Sequence, residues 1–573
     1  MSHKIGDRIF LLSAANCIQL FVRFRSWITA RPRLVRFVAQ AILAAVILTP
    51  SIWMLSLIPP LWRGVDAYVQ VTQPPGPGTI LQWGPLYCFV ARIPLYFGYA
   101  IECVRAGAPF PTPVFFIHPI LTDSGVFLLL LSQHVALCSV AFYLIAVTTR
   151  LLWVRLILAV LWGVNPLFYT FAHCVGSETL SMILVLLVGA TGLRMIRHPR
   201  KIPRKEWFLF GILVWLCILT RHINATLAGL LSLTFFLLSA YRLIMIRFAR
   251  SQLLRRWQRL RARQALQKAT FAVAVGISCI VLANVSLRGL CYAVQIPYHS
   301  TLGFTFLFRL KFLAGLPVEE RNQLLDKVTK NTGSTDVKKL ISLLRNAFPD
   351  ETPNWDVMAF RKKAQASLFP PQTDPREEKF YPVLNRTAQA FLYPPEKIFL
   401  SVVATDFKRS QEATIPTVVR QLFADTTRYF SHPELVPDQA ALFTFRDKSS
   451  AQIMAIFKKH SYFHHPKNFG YNAFLFFWCV NLALLAVVAK VWTKELAAVS
   501  SYAAALTLVG LFMMLANCFL NVFQPRYTLP MWELTVVSLS ILFGETVGYL
   551  FSPPCRLFGG LNGQAKRAEP TKK

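Results

Sequence analysis

The chain has 573 residues, of which 54% are hydrophobic and only 15% are charged, and its mean hydropathy is +0.45. A soluble protein would carry about 25% charged residues, so the composition excludes an ordinary soluble domain and favours a polytopic helical membrane protein. The formal net charge of +34 does not indicate nucleic-acid binding, because the basic residues cluster between apolar runs, which is the pattern that orients membrane helices.

The first part of the chain predicts a cytoplasmic or interfacial N-terminal segment (1–36), followed by a first membrane span at 37–57. Arginines precede that span and hold its start inside, so the long aromatic loop at 59–123 is predicted to lie outside. The second and third spans are predicted at 125–147 and 156–174. The third span returns the chain to the outer side.

A fourth span at 180–193 leads into a strongly basic cytoplasmic segment. The next apolar stretch, 207–241, is flanked by basic clusters on both sides, so it must cross the membrane an even number of times. Because about 35 residues is short for two full spans, we predict two short helices that meet at residues 220–224. Polar backbone at membrane depth is tolerated beside a wet cavity, so Arg221 and His222 are expected to face one.

The basic run that follows, 242–268, admits two interpretations. Clustered lysines and arginines beside a membrane helix are typical of a lipid-binding or regulatory element. They are also typical of a solvated cytoplasmic helix hairpin that sets the topology, and we favour this second interpretation.

After a seventh span at 269–291 the composition changes. Residues 292–470 contain 17 of the 27 acidic residues and no apolar run of membrane length. Helical apolar spacing predicts a mostly helical extracytoplasmic domain there. Its histidines His460, His464 and His465 could bind a metal, but a patch near the membrane surface is the favoured interpretation.

Three further spans are predicted at 471–488, 500–520 and 532–551, before a basic cytoplasmic tail (552–573). The predicted fold is therefore an all-α polytopic membrane protein with ten transmembrane helices and both termini inside. The membrane module occupies 37–291, the extracytoplasmic domain is inserted after it, and the C-terminal helices occupy 471–551. The eleven cysteines show no metal-ligand spacing.

This topology collects several ionisable residues on the outer face, where such groups are costly and usually functional. A carboxylate there can act as a general base on a hydroxyl acceptor. Arginines match phosphate by forked hydrogen bonds and stabilise charge on a leaving phosphate. The set therefore suggests cleavage of a bond to a lipid phosphate, and the alternative is a group of ion pairs that close the bundle. The residues are Asp66, Arg92, Asp123, Glu178, Arg221, His222 and Arg526.

Several short motifs occur in order along the same side. The chain resembles the GT-C membrane glycosyltransferases, in particular the branch with protein O-mannosyltransferases and the lipid A aminoarabinose transferase. The resemblance covers roughly residues 37–226 and the last spans. The motifs are Asp66 after the first span, WGPLY at 83–87, NPLFY at 165–169, the turn SETL at 177–180, GILVWLCILTR ending at Arg221, and PRYTLP near the end.

The resemblance implies a GT-C-like fold and a sugar donor carried on a polyprenyl phosphate, with an extracytoplasmic glycan, lipid or protein as acceptor. It implies that Asp66 is the base of an inverting transfer and that Glu178 is a second acid. Protein O-mannosyltransferases typically pair two acids in the first loop, whereas Asp66 is followed by Ala67. The implied phosphate- and substrate-binding residues are Arg92, Arg221, His222, Arg526 and Tyr527.

We predict a multi-pass protein of the bacterial cytoplasmic membrane, in contact with membrane lipids. Contact with nucleic acid is not expected, because of how the basic residues are distributed. No metal ligands are expected, and a divalent cation stays open as a cofactor. Three other functions remain open: a transporter or flippase, a ligase or polymerase of lipid-linked glycans, and a non-catalytic scaffold. Repeated halves with matching broken helices would favour a transporter, and independence from Asp66 would favour a ligase.

Overall fold

The structure is a computed structural model, and about 84% of the residues that it describes are helical. Among these residues, seven helices are long and apolar enough to cross a membrane, or eight if one bent pair is counted as a single span. This agrees with the predicted all-α polytopic membrane protein. The residues that the structure describes are 32–58, 60–63, 65–197, 202–249, 251–348, 356–369, 376–431, 494–521 and 524–550.

The N-terminal part of the chain is built from helices and one pair of very short strands. The elements in chain order are α1 (Pro32–Leu57), β1 (Leu61–Trp62), α2 (Val65–Thr72), α3 (Pro85–Arg105), α4 (Asp123–Thr148), α5 (Leu152–Gly163), α6 (Pro166–Ala172), β2 (Cys174–Val175), α7 (Ser177–Ile196), α8 (Arg204–Thr220), α9 (Leu230–Phe248) and α10 (Gln252–Ala293).

The predicted third span is broken. Helices α5 and α6 meet at an angle of 62°. Pro166 occupies the first turn of α6, and the side chain of Asn165 caps that helix by accepting a hydrogen bond from the Leu167 N–H (3.0 Å). Proline cannot continue a helix from the preceding turn, and asparagine favours helix starts, so the Asn-Pro pair ends one helix and begins another.

The predicted break at 220–224 is present, but only the first of the two helices is short, since His222–Phe248 is long enough to cross a membrane. Helix α8 ends at Thr220, Arg221 is extended, and a 3-10 turn (His222–Gly229) leads into α9. Helix α8 has 17 residues and is shorter than a standard span. The predicted span at 471–488 lies outside the described residues, so the count of ten spans stays a prediction.

Seven α-helices follow in the described parts of residues 302–431, in agreement with the helical apolar spacing there. Two longer helices, joined by a 3-10 turn (Pro525–Thr528), complete the described chain. These elements are α11 (Leu302–Arg309), α12 (Val318–Lys330), α13 (Thr335–Arg345), α14 (Val357–Leu368), α15 (Arg376–Leu392), α16 (Lys397–Glu412), α17 (Ile415–Ser431), α18 (Lys494–Leu520) and α19 (Leu529–Leu550).

Helix α17 docks against the start of the membrane module. The Thr426 hydroxyl accepts a hydrogen bond from the Trp62 N–H (2.9 Å) and lies 3.0 Å from the Trp62 carbonyl oxygen. Strand β1 pairs in parallel with β2, with Leu61 opposite Cys174. The helical segment before residue 431 therefore contacts the same short strand that carries the first loop of the chain.

Helices α3 and α4 cross at two glycines, and this crossing gives a first prediction. A Cβ atom at Gly98 would overlap the backbone of Gly125, whereas one at Gly229 would meet nothing within 4 Å. Overpacking of a close contact typically costs about 1–3 kcal/mol. Gly98→Ala is therefore expected to lower the thermal unfolding temperature of the protein in detergent, and the matched Gly229→Ala is expected to leave it nearly unchanged. Equal unfolding temperatures for the two variants would contradict this account of the crossing.

Candidate functional site

The strand pair brings the first loop and the start of α7 to one place. Arg63 directly follows β1, and Glu178 follows β2 after a two-residue turn. Because the strands are parallel and in register, the segments that leave them run side by side. Gly176 in this turn has φ +158°, and a Cβ atom on it would lie 3.1 Å from Glu178 Oε2 and 3.6 Å from Arg63 Cβ. The turn therefore requires glycine.

Glu178 is the centre of a buried ion network. Its side chain is 3% exposed, and Oε1 lies 2.8 Å from Arg63 Nε and 3.0 Å from an Nη of Arg221. A buried carboxylate needs such partners, because an unpaired buried charge costs several kcal/mol. Both guanidinium groups are in turn fixed by this one carboxylate.

Two less buried carboxylates stand at the edge of the network. Asp66, whose side chain is 45% exposed, lies 3.4 Å from Arg63. Asp425 of α17 lies 3.1 Å from Arg526, whose backbone N–H also donates to Gln421 Oε1 (2.9 Å). The three arginines and three carboxylates balance in charge.

A small cleft separates the two halves of this cluster. Its enclosed part has room for about one water molecule, so it is much smaller than an ordinary ligand pocket. Two guanidinium atoms, Arg63 Nη1 and Arg526 Nε, are buried and have no hydrogen-bond partner among the described residues. Cationic donors without acceptors beside a cleft indicate a site for an anionic group. The lining residues are Arg63, Phe171, Cys174, Glu178, Leu422, Asp425 and Arg526.

Four of the residues selected from the sequence meet here. Asp66 and Glu178 share Arg63 as a partner, and Arg221 shares Glu178. Arg526 lies across the cleft and is close enough to interact electrostatically with Glu178. The fifth, Tyr527, borders the same cluster and interacts electrostatically with Arg63 and Arg221.

Arg92 is not brought into this cluster. It is completely buried, and its guanidinium donates to the backbone carbonyls of Phe116 and Gln73, the latter at 2.5 Å. These contacts join the loop before α3 to the loop after it. Arg92 thus stabilises the first loop by joining two of its segments. The expected contact of Arg92 with phosphate has no support in this geometry.

His222 is also turned to a backbone group. Its Nε2 donates to the carbonyl oxygen of Leu81 (2.8 Å), and the hydroxyl of Thr301 donates to the same oxygen (3.3 Å). The carbonyl belongs to a short π-helix, Pro77–Gln82. His222 therefore fixes the Pro/Gly-rich part of the first loop against the junction after α8.

Arg63 and Asp425 complete the site, and sequence reasoning missed both. Arg63 had a usable signal, since it precedes Asp66 by three residues and would lie near it in a helical turn. Asp425 had none, because it is one of 17 acidic residues in 292–470 and no span or motif marks it. Only the docking of α17 on β1 brings it to the cleft.

Neutral polar side chains position the turn that carries Glu178. Gln133 Nε2 donates to the carbonyls of Ala172 (3.0 Å) and Cys174 (3.1 Å). The hydroxyl of Tyr87 donates to Gln133 Oε1 and accepts from the Gly176 N–H (2.9 Å). The tyrosine of the WGPLY motif therefore holds the turn in place rather than meeting the cleft directly.

The environment adjusts the ionisation of two site residues. Burial disfavours the charged form of Arg63, but the carboxylates of Glu178 and Asp66 outweigh it and raise the pKa of Arg63, which stays a cation. Burial also raises the pKa of the Asp425 carboxyl above its usual value, although Arg526 and Arg63 oppose the shift. A carboxyl with a raised pKa is better suited to accept a proton near neutral pH.

No family profile, curated protein or solved structure matches the chain. Within the described ranges, no group of three or more histidine, cysteine, aspartate or glutamate side chains is arranged to hold a metal ion. His460, His464 and His465 lie outside those ranges.

Proposed function

We propose that the chain is a membrane glycosyltransferase that moves a sugar from a polyprenyl phosphate to a hydroxyl acceptor on the extracytoplasmic side. The observation that carries this proposal is a cluster of three arginines and two accessible carboxylates, of which Arg63, Arg526 and Asp425 line one cleft. Arginines recognise phosphate, and a carboxylate beside them can act as a general base. The resemblance to GT-C enzymes at Asp66 and Arg221 also supports a glycosyltransferase function.

In the proposed reaction, a carboxylate removes the proton from the acceptor hydroxyl, and the oxygen attacks the anomeric carbon of the sugar. The bond between that carbon and the phosphate oxygen breaks, and its electron pair leaves with the polyprenyl phosphate. The configuration at the anomeric carbon is inverted. The proton held by the carboxylate then passes to solvent, and the arginines stabilise the charge that grows on the phosphate.

The contacts divide the roles among the acids. Glu178 is buried between Arg63 and Arg221, so it orients these cations and is poorly placed to accept a proton. Asp66 and Asp425 are the accessible carboxylates. We assign Asp66 as the base, because its side chain is the more exposed of the two and the resemblance to GT-C enzymes implies a base there, and Asp425 as the partner that holds Arg526.

The balanced charge determines how a phosphate would enter. An anion must displace a carboxylate from an arginine, and the two partly exposed partners, Asp66 and Asp425, are easier to displace than Glu178. The unpartnered atoms on Arg63 and Arg526 would receive it. Since the cleft is small, a phosphate group would enter it only as Asp66 and Asp425 move aside, while the sugar and the lipid tail lie outside it.

The test uses the purified full chain in vesicles with a radiolabelled polyprenyl-phosphate sugar and a mixture of extracytoplasmic acceptors. Arg526→Gln is expected to reduce transfer by about 10²–10³-fold, as for loss of one group that stabilises transition-state charge. The matched control is Arg105→Gln, which removes an exposed arginine paired with Glu102 and should transfer like the unmodified chain. Equal loss in both variants, or no transfer by the unmodified chain, would contradict the proposal.

A transporter or flippase is the second candidate, because transporters place discontinuous helices around their substrate. Breaks occur between α5 and α6 and again at Arg221. Both lie in the N-terminal part, whereas α18 and α19 are continuous, so matching halves are not seen in the described chain. Movement of the labelled lipid between leaflets without transfer of its sugar would favour this candidate.

A further inference from the structure

Helix α10 is much longer than the span predicted within it. Its 42 residues correspond to about 63 Å at 1.5 Å per residue, against a hydrocarbon core roughly 30 Å thick. The first part, residues 252–268, therefore continues beyond the apolar segment. One face of it packs on α9, where the hydroxyl of Ser239 donates to the carbonyl of Ala262 (3.0 Å).

The opposite face of this segment is apolar and exposed. Leu253, Trp257 and Leu260 are 81%, 40% and 55% exposed, and their spacing of four and three residues places them in one stripe. A solvated hairpin, the interpretation favoured from the sequence, would place polar residues in such a stripe. Three large apolar side chains pointing away from the protein instead indicate insertion into a membrane interface.

Basic side chains flank the apolar stripe. Arg256, Arg259 and Arg263 are all exposed, and their spacing of three and four residues forms a second stripe beside the first. A helix with arginines on one face and tryptophan and leucine on the neighbouring face is typical of helices that lie at a charged lipid surface.

Two further arginines lie beside each other, Arg242 on α9 and Arg261 on α10, and the Arg261 guanidinium stacks over the Trp257 ring, 2.9 Å from its centroid. Arg242 donates to the carbonyl of Arg261 (2.7 Å), and the two side chains are close enough to repel each other. Arg261 Nη1 is buried without a hydrogen-bond partner among the described residues. Neighbouring cations with an unused buried donor are best satisfied by an anion placed between the helices.

We propose that the Arg242–Arg261 pair and the exposed arginines of residues 252–263 bind the phosphate of anionic phospholipids, while Leu253, Trp257 and Leu260 insert at the boundary between headgroups and acyl chains. Basic pockets between membrane helices bind anionic headgroups in this way. The site lies on α9 and α10 and uses none of the cleft residues, so it stands whether or not the chain transfers sugars.

The test is native mass spectrometry of the purified full chain with added phosphatidylglycerol, phosphatidylcholine or inorganic phosphate. The unmodified chain should retain phosphatidylglycerol in preference to phosphatidylcholine, and inorganic phosphate should not displace it, because the acyl chains contribute to binding. Each arginine near a lipid surface contributes about fivefold in affinity. Retention is therefore expected to fall by about 25-fold in the double variant Arg242→Gln, Arg261→Gln.

The double variant Arg242→Lys, Arg261→Lys keeps the charge and should retain the lipid, and Arg105→Gln serves as an exposed control. If the double glutamine variant does not fold, Arg256→Gln with Arg259→Gln tests the exposed stripe and should also weaken retention. Equal retention of the two lipids, unchanged retention in the glutamine variants, or displacement by inorganic phosphate alone would overturn the proposal.

Discussion

Glu178→Gln is expected to destabilise the protein by about 3–5 kcal/mol, because it leaves the buried Arg63 and the partly buried Arg221 without their shared counter-charge. The thermal unfolding temperature in detergent measures this loss. Glu396→Gln is the matched control, since that carboxylate pairs with Lys327 at the surface and such pairs contribute about 0–1 kcal/mol.

A second variant separates charge imbalance from lost packing. In the double variant Glu178→Leu, Arg221→Met, one buried cation is removed together with the carboxylate, and Arg63 keeps Asp66. Apolar replacement of a buried ion pair is often neutral, so this variant should regain much of the stability that Glu178→Gln loses. If Glu178→Gln unfolds at the same temperature as Glu396→Gln, the network at Glu178 does not hold the site together.

Asp66→Asn is expected to reduce sugar transfer by about 10²–10⁴-fold, the usual contribution of a general base, with little change in unfolding temperature. Asp425→Asn is the matched change on the other side of the cleft. It should cost only about tenfold, because it removes the partner of Arg526 but leaves the proposed base. The opposite ranking of the two variants would assign the base to Asp425.

The pH dependence of transfer gives an independent check on this assignment. A base works only when deprotonated, so activity falls as the pH decreases through its pKa. Since burial raises the pKa of Asp425, an Asp425 base would place the acidic limb of the profile above the ordinary carboxyl range. If Asp425 is the base, that acidic limb should persist in the Asp66→Asn variant. If Asp66 is the base, Asp66→Asn should instead lose most of its transfer activity at every pH.

The apolar runs were sufficient to predict most of the membrane helices, because length and hydropathy determine which segments can cross a bilayer. The break at Arg221 was predicted from a stretch too short for two full spans. The break at Asn165 was not, although the Asn-Pro pair carries a recognisable helix-ending signal. The continuous apolar run across this pair predicted a single span instead.

The candidate site was predicted only in part. Asp66, Glu178, Arg221 and Arg526 were predicted to lie on one face, and they belong to one cluster of charged side chains, two of which line the cleft. Arg92 was also predicted to belong to the site, because it lies on the same face. Its guanidinium instead donates to a backbone carbonyl, and the position of a residue on one face does not reveal such a contact. Contacts between distant segments of the chain carry no local pattern and could not be read from the sequence.

The hydrogen bond between Trp62 and Thr426 has a consequence for biosynthesis. The two residues are 364 positions apart, which at 5–20 residues per second corresponds to roughly 20–70 s of translation. During this interval β1 and Arg63 have already been synthesised, whereas α17 and Arg526 have not. The nascent chain therefore carries an incomplete cleft until late in its synthesis, and C-terminally truncated products should be inactive even when their first helices are correctly inserted.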